Sequence, residues 1–318
     1  ARQVLNEAVR QYSLTIPSKE IRDQIEKVSL NSFHNPLEYN AEYILIKGTG
    51  KDKTFTFQKG EELEAQKTVP DLYFAKYPVT NRQYRRFIRY LRGEERELLE
   101  QVPLATFGQK VLASTGEMPD FQKKLGDGVE DWADKLVSRY DDDRKFNDDD
   151  QPVVGVSWYA AQTYCLWLST FTQKTTSSAA PASATATVPV YRLPNEVEWE
   201  WAAAGDREKQ NGVLRKYPWG DAEPNDKLAN YDSNVGATTP VGRYPDGATP
   251  EGLQDMAGNV WEWTESLWNP DTSYRVVRGG GFYYTAHFLR CALRSWNYPF
   301  NGYYYIGFRV VSSHFSDL

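Results

Sequence analysis

The feature that most constrains this fold is the last third of the chain, residues 217–311, which is dense in Gly, Pro, Asn and Asp. Only short aromatic runs interrupt these turn-forming residues, so few of them can belong to long helices or strands. Long stretches of irregular chain inside one domain are uncommon and are usually functional. The regular elements elsewhere in the chain must therefore hold these loops in place.

The residues before this stretch predict regular elements of both kinds. Strand-like apolar runs occur at residues 43–46 and 72–79. Helices are predicted after Thr80 and Ser157, because each of these capping residues precedes apolar residues at helical spacing. The fold class that follows is α+β with much irregular loop structure.

Composition shifts divide the chain into two units. Residues 1–42 read as an N-terminal helical segment, and residues 43–318 as one domain. A low-complexity insertion rich in Ala, Ser and Thr lies at about residues 172–188. It is placed inside the domain because structured patterns resume on both sides.

Charge and composition exclude several classes of protein. A net charge of −6 gives no support to nucleic-acid binding. Two cysteines (Cys165, Cys291) and three dispersed histidines (His34, His287, His314) argue against a disulfide framework or a multi-His metal centre. No apolar run approaches the ~20 residues that cross a bilayer, and no signal peptide is visible. The compartment is left open, with a cytoplasmic location favoured.

Six short motifs occur in order along the chain. They are KYPVTNRQY (76–84), PVVGVSW (152–158), YRLPNEVEWE (191–200), GLQDMAGNVWEW (252–263), RGGG (278–281) and IGFRV (306–310). Together they resemble the formylglycine-generating enzyme (sulfatase-modifying factor) family, and this resemblance implies a C-type-lectin-like fold.

The same resemblance bears on catalysis. The family's enzymes bind copper through two cysteines that lie between the Gly-Gly motif and an Arg-Cys-Ala segment. Here Cys291 falls within that last segment, and residues 282–289 contain no cysteine. Members that use non-haem iron need a His-rich site, which the dispersed histidines do not provide. We therefore expect a non-catalytic chain that requires no cofactor, with a copper-dependent formylglycine-generating-type oxidoreductase as the enzyme alternative.

The fourth motif contains a candidate calcium loop. Gly258 permits a turn with positive φ, and the carboxylates of Asp255 and Glu262 can face one cation together with turn carbonyls. The family holds a structural calcium around this loop, so the resemblance implies a site at Asp255, Gly258, Val260 and Glu262. In the alternative interpretation, Asp255 caps the turn and Glu262 pairs with a buried arginine.

A second acidic region could likewise be interpreted as a calcium site or as an ordinary surface loop. Residues 141–143 and 148–150 are all Asp. Carboxylates are the usual ligands of calcium, but such runs are more often solvated loops, which is the interpretation we favour.

Residues 282–305, termed the aromatic segment, have the most unusual composition. Ten of these 24 residues are aromatic, and none is Lys, Glu, Gln or Met, although those four types make up 55 of the 318 residues. Tyrosine gives large contact area at low entropic cost, and its hydroxyl adapts to varied partners. The rings of Tyr303, Tyr304 and Tyr305 cannot all be buried on one side, so we expect exposed rings whose replacement by Ala leaves the melting temperature little changed.

This composition resembles the variable region of diversity-generating-retroelement variable proteins, in which adenine-directed mutagenesis rewrites mainly AAC codons. The products of such codons exclude Lys, Glu, Gln, Met and Trp, so Trp296 is read as a fixed residue. The resemblance implies ligand-binding variable positions at Tyr283, Tyr284, Thr285, His287, Phe288, Leu293, Ser295, Asn297, Tyr298, Phe300, Asn301, Tyr303, Tyr304 and Tyr305.

The function implied is display of these side chains to a protein ligand, with no nucleic-acid partner and no membrane-spanning segment. The identity of the ligand and the oligomeric state are left open. The structural alternative is a non-diversified member of the same superfamily, whose aromatic end packs internally or against a sister subunit.

Overall fold

The computed structural model describes most of the chain. The described residues are 31–50, 54–59, 62–114, 119–126, 128–177, 190–205 and 215–313. Most of the predicted N-terminal helical segment lies outside these ranges, as does the predicted insertion after residue 177.

The described strands are short and are spread along the whole chain. They are β1 (Ser32–Asn35), β2 (Ala41–Ile46), β3 (Phe55–Lys59), β4 (Glu62–Lys67), β5 (Leu72–Ala75), β6 (Val190–Arg192), β7 (Trp261–Leu267), β8 (Arg275–Arg278), β9 (Arg294–Asn297), β10 (Ile306–Phe308) and β11 (Val311–Ser313).

These strands form two main sheets and a hairpin. The first sheet has the order β1-β2-β5-β11-β6 and is antiparallel throughout. The second has the order β10-β7-β8-β9, in which β10 runs parallel to β7 and the other pairs are antiparallel. Strands β3 and β4 form the hairpin.

The domain was predicted to start at residue 43, but the first sheet begins before that residue. Strand β1 pairs with β2, and the Phe33 ring stacks on the Tyr43 ring with centroids 4.9 Å apart. The described part of the predicted helical segment therefore contributes strands, because its apolar residues pair and pack within the sheet. The division of the chain into two units stays a prediction.

Helices occupy the chain between the strands. They are α1 (Asn81–Leu91), α2 (Arg96–Gln101), α3 (Leu104–Ser114), α4 (Pro119–Leu125), α5 (Trp132–Leu136), α6 (Trp158–Ser177) and α7 (Glu196–Ala204). No helix in the described ranges combines the length and apolar character needed to span a bilayer.

The helix starts follow the predicted capping residues. At α1 the Thr80 hydroxyl accepts from the Gln83 amide, and the Gln83 side chain accepts from the Thr80 amide at 2.7 Å. Ser157 Oγ accepts from the Ala160 amide at 3.2 Å at the start of α6. Each contact satisfies a backbone group that the first helical turn leaves free, so the caps confirm both predicted helix starts.

A layer of buried rings joins α1 to α6. The Phe87 ring lies 5.7 Å from the Tyr164 ring and 5.6 Å from the Trp167 ring, and all three residues are fully buried. Tilted and edge-on pairs of this kind add to the free energy gained from burying the rings. This layer forms the centre of the larger hydrophobic core.

A buried ion pair joins the two sheets where the chain passes from β10 to β11. Arg309 Nη2 donates to Glu262 Oε1 at 2.8 Å, and both side chains are fully buried. Nε also donates to the Glu262 carboxylate, and the other guanidinium N–H groups donate to the carbonyl oxygens of Ala75, Lys76 and Gln254. The arginine thus holds β7, the end of β5 and the loop before β7 in one arrangement.

Candidate functional site

The aromatic segment begins on a tightly held loop. Gly280 has φ +76° at its start, and an added Cβ there would lie 2.7 Å from the Phe288 carbonyl oxygen. The Phe282 amide donates to the Asn259 carbonyl at 3.0 Å, and the Phe282 carbonyl accepts from the Ser233 amide at 2.8 Å. The loop before β7 therefore fixes the first residues of the segment.

The end of the segment is held in the same way. The carbonyl of Pro299 accepts from the Trp158 amide at 3.0 Å. The carbonyl of Tyr305 accepts from the Trp261 amide at 2.8 Å, and that of Tyr303 from the Gly155 amide at 3.0 Å. All three donors are backbone groups outside the segment, so these hydrogen bonds do not depend on the side chains of Pro299, Tyr303 and Tyr305.

The middle of the segment is strand β9, the edge strand of the second sheet. It pairs with β8 through all four of its residues. Arg294 in β9 donates twice to the Glu196 carboxylate at 2.8 Å, and its guanidinium lies 4.1 Å from the Trp268 ring centroid. The bidentate pair anchors this strand to the start of α7.

Six predicted variable residues form one continuous group of rings, which we term the tyrosine face. Its members are Tyr283, Tyr284, Phe288, Tyr303, Tyr304 and Tyr305. The Tyr303 and Tyr305 rings stack with centroids 5.4 Å apart, and Tyr284 lies edge-on to Tyr305 at 5.5 Å. The fold therefore brings together two parts of the segment that are about twenty residues apart in sequence.

The tyrosine face is not uniformly exposed, which corrects our expectation for the three consecutive tyrosines. Tyr283 is 49% exposed and Tyr303 is 36% exposed. Tyr304 and Tyr305 are half-buried, because the Tyr304 ring packs 5.7 Å from buried Phe146 and Tyr305 lies beneath its neighbours. Of the three consecutive tyrosines only Tyr303 is exposed as expected, and the effect of their truncation on the melting temperature stays a prediction.

The inner phenols of this face are neutral, and burial makes them harder to ionise. It raises the pKa of Tyr284 and of Tyr305 above the usual range, which already lies above physiological pH. A neutral phenol both donates and accepts hydrogen bonds, which allows the face to contact partners of different polarity.

A second, smaller group of rings surrounds strand β9. Trp296 and Tyr298 are 41% and 46% exposed. The Trp296 ring stacks on Tyr274 at 4.2 Å, and the hydroxyls of Tyr274 and Tyr298 lie 2.7 Å apart. Tyr274 was not predicted as a site residue, because it lies outside the aromatic segment.

The remaining predicted positions have varied surroundings. Thr285 and His287 are exposed, and the His287 ring nitrogen Nε2 lies 3.1 Å from Arg290 Nη2. Leu293 is half-buried against the larger core. The others are half-buried: Ser295 and Asn297 in β9, Phe300 beside Tyr159, and Asn301, whose amide donates to the Tyr303 hydroxyl at 3.2 Å.

Both cysteines are free thiols in the interior. Cys165 packs in the core around α6, whereas Cys291 packs in a separate cluster that includes Trp199 and Met256. Burial raises the pKa of Cys291 to about 12 and that of Cys165 well above its usual range. Neither group is a thiolate at neutral pH, and thiolates are the form that attacks carbon or binds copper.

Protein donors satisfy the carboxylates of the predicted calcium loop. Both Glu262 oxygens face Arg309, and Oε2 also accepts from Trp199 Nε1 at 2.7 Å. Asp255 Oδ2 accepts from the Gly242 amide at 2.8 Å, and burial raises the pKa of Asp255 to about 6. These contacts follow the alternative interpretation of the loop. Across the described ranges no group of three or more His, Cys, Asp and Glu side chains could hold a metal ion, and calcium stays a prediction.

The acidic run packs against arginines of α1. Arg85 donates to Asp141 at 2.9 Å and to Asp149 at 2.8 Å, and Arg82 lies 3.1 Å from Asp150. These half-exposed pairs agree with the interpretation of the run as a surface loop. Each such pair contributes about 1 kcal/mol or less to stability.

The two-sheet frame, the irregular loops and the six motifs define a class of protein, the C-type-lectin-like domains of the formylglycine-generating type. A family match over residues 31–314 identifies the sulfatase-modifying factor enzyme 1-like domain, and the chain belongs to this family. The match includes all six motifs and confirms the predicted resemblance.

Similar proteins include both an enzyme and a protein named as inactive. Hercynine oxygenase of Mycolicibacterium thermoresistibile is 33% identical over 183 residues, which cover 51% of this chain and 36% of that protein. The inactive C-alpha-formylglycine-generating enzyme 2 of Mus musculus is 29% identical over 277 residues, or 80% of this chain and 79% of that protein. The chain thus spans about a third of the oxygenase, and family membership alone does not decide catalysis.

A solved structure supports the fold. Treponema denticola variable protein 1 superposes with a TM-score of 0.52 at 18% identity, and the alignment covers 86% of this chain and 96% of that one. At this level of identity the likeness confirms the predicted fold and carries no residue roles.

Proposed function

We propose that the chain is a non-catalytic binding domain that displays the aromatic segment to a protein ligand. The fourteen predicted variable positions are the ones that differ between versions of the protein. The domain needs no cofactor for this role, since binding rests on side-chain contacts alone.

The proposal rests on one observation. The main chain of the segment is held in place by the scaffold, whereas its exposed side chains are free to contact a ligand. Backbone donors outside the segment hold the carbonyls of Phe282, Pro299, Tyr303 and Tyr305. Because backbone hydrogen bonds do not depend on side-chain identity, exchange of exposed residues leaves the scaffold intact. A rigid backbone also lowers the entropic cost of binding.

The chemistry of the tyrosine face suits a protein ligand. Its rings provide broad contact area, and the phenol hydroxyls add adaptable hydrogen bonds. Aromatic residues are enriched and Lys and Glu are depleted in the centres of protein interfaces, which matches the composition of the segment.

An oxidoreductase is the second candidate, and the 33% identity to hercynine oxygenase favours it. The thiols of this chain do not fit a two-cysteine copper site, because Cys165 and Cys291 pack in different clusters and both stay protonated. The two histidines in the described part of the chain give no better fit. His34 lies in β1, whereas His287 lies in an exposed 3-10 turn of the aromatic segment.

A pair of libraries tests the display role. The first randomises five exposed or rim positions with codons that vary at their first two bases: Tyr283, Thr285, His287, Tyr298 and Tyr303. We expect most variants to fold, since surface substitutions change stability by about 0.5 kcal/mol or less. Selection against unrelated proteins should then give different binders.

The matched control library randomises five buried positions of the same region: Phe282, Leu289, Pro299, Ile306 and Phe308. Most of its members should fail to fold. If the two libraries unfold equally often, the side chains of the tyrosine face support the fold and the proposal is wrong.

Two further observations separate diversification from catalysis. An adenine-rich near-copy of the coding segment for residues 282–305, beside a reverse-transcriptase gene, would establish diversification. Oxidation of a cysteine in a sulfatase-derived peptide, with copper supplied, would contradict the non-catalytic role.

A further inference from the structure

A groove of about 320 Å³ lies beside the aromatic segment and is lined by none of the residues of the tyrosine face. Its apolar wall consists of Phe121, Tyr159 and Phe300. The rings of Phe121 and Tyr159 stack with centroids 4.4 Å apart, and the Phe300 ring lies 4.7 Å from Tyr159. This volume is at the lower end of the range for small-molecule sites, about 300 to 1,000 Å³.

Three exposed cations surround this wall, and with it they define the basic groove. Lys124 Nζ lies 4.7 Å from the centroid of the Phe300 ring. Arg139 Nη2 donates to the Phe300 carbonyl at 3.3 Å, and Lys135 Nζ donates to the Leu125 carbonyl at 2.5 Å. These contacts hold the three charged groups around one opening.

Among the side chains that the structure describes, few carboxylates line the basic groove. Asp134 is the one acidic residue among those that line it, and its Oδ1 lies 3.5 Å from Arg92 Nη2. Within the described ranges, Lys124, Lys135 and Arg139 form no ion pair with Asp or Glu. A cluster of one charge sign in a cleft with apolar walls concentrates ions of the opposite sign, even on a chain of net charge −6.

We propose that the basic groove binds an aromatic anion, a flat ring that carries a carboxylate or a similar acidic group. The ring packs against Tyr159 and Phe300, and the acidic group lies among the three cations. A neutral aromatic compound lacks the charge attraction, and a small aliphatic anion lacks the ring contacts.

This site stands apart from the display role. Its cations lie outside the aromatic segment, so binding here persists if the proposed function is wrong. Phe300 links the two, because it is both a wall of the basic groove and a predicted variable position.

The test uses 2-naphthoate as the probe, with binding measured by isothermal titration calorimetry and located by NMR. We expect binding at millimolar or lower concentrations that weakens as salt is added. The triple variant Lys124→Gln, Lys135→Gln, Arg139→Gln should bind about tenfold more weakly, since three exposed charge contacts are lost. All three side chains are exposed, and the melting temperature checks that the variant is folded.

Two controls make the result specific. The neutral analogue 2-naphthalenemethanol should bind about tenfold more weakly than 2-naphthoate. The variant Lys227→Gln, which removes an exposed lysine elsewhere, should bind like the parent. Absence of naphthoate binding, an unchanged affinity in the triple variant, or equal loss in Lys227→Gln would each overturn the proposal.

The same assay distinguishes two sources of such a group. A peptide that ends in a free tryptophan carboxylate presents the same chemistry as a free aromatic acid, and its C-terminal amide removes the charge. Binding of the peptide acid but not the amide identifies a chain terminus as the source, and binding of naphthoate alone identifies a free small molecule.

Discussion

Two aromatic regions of this molecule use the same side chains for different purposes. In the layer between α1 and α6, Phe87, Tyr164 and Trp167 are enclosed on all sides and position the helices. In the tyrosine face, rings such as Tyr283 contact one another on one side and are open on the other. Aromatic content therefore indicates the role of a region only when the contacts that hold its main chain are also known.

In the helical layer, side-chain packing determines the backbone arrangement. Beside the tyrosine face, backbone hydrogen bonds from Gly155, Trp158 and Trp261 hold the main chain, and the side chains project from that fixed backbone. Substitutions should therefore have large effects in the frame and graded, small effects on the face.

The largest effect on stability is expected for the buried ion pair that joins the two sheets. Replacement of Glu262 by Ala leaves Arg309 charged and fully buried, so the free energy of unfolding should fall by about 3–5 kcal/mol in urea denaturation. The matched control is Glu223→Ala, which breaks an exposed pair with Lys216 and should have a much smaller effect, because solvent screens exposed charges. Equal effects would show that the pair between the sheets is not a main support of the frame.

A second test of the frame uses pH. Burial raises the pKa of Asp255 from its ordinary value of 3.8 to about 6, so the native state holds this proton more tightly than the unfolded chain. The resulting stabilisation is present below pH ~4 and is lost as pH rises through about 6, by up to about 3 kcal/mol.

Asp255→Asn isolates this contribution. Asn keeps an oxygen for the Gly242 amide and tolerates the residue's φ of +55°, but it does not titrate. Burial also raises the pKa of Glu38, so the informative quantity is the difference between parent and variant in denaturation curves across pH 4 to 7. A difference that does not change with pH would contradict the assignment.

The smallest effects belong to the tyrosine face, and they should follow burial. Tyr305→Ala removes a half-buried ring in contact with four others and should cost about 1–3 kcal/mol. Tyr283→Ala removes an exposed ring and should change stability by about 0.5 kcal/mol or less. Thermal denaturation of the two variants compares them directly, and a reversed order would place Tyr283 in the frame.

The fold could be predicted from sequence because its motifs contain residues whose local structural roles can be recognised. Thr80 and Ser157 are capping residues. The fourth and sixth motifs supply Glu262 and Arg309, which form the buried ion pair. The position of the aromatic segment was also visible, because composition changes abruptly there. No local pattern indicated which of its rings would be buried.

The rest depends on contacts between distant parts of the chain. Tyr304 is half-buried because Phe146, far away in sequence, lies beneath it. Tyr274 joins this surface through its stack on Trp296 and its contact with Tyr298, both of which come from a later part of the chain. The basic groove combines Lys124, Arg139 and Phe300, whose spacing in sequence carries no signal.

If the aromatic segment is diversified as proposed, the position of β11 separates usable copies from defective ones. This strand follows the aromatic segment and lies between β5 and β6 in the interior of the first sheet. A frameshift within codons 282–305 would delete it and leave the sheet split into separate parts. Frameshifted copies would therefore fail to fold, whereas in-frame copies, whatever their surface, would complete the same sheet.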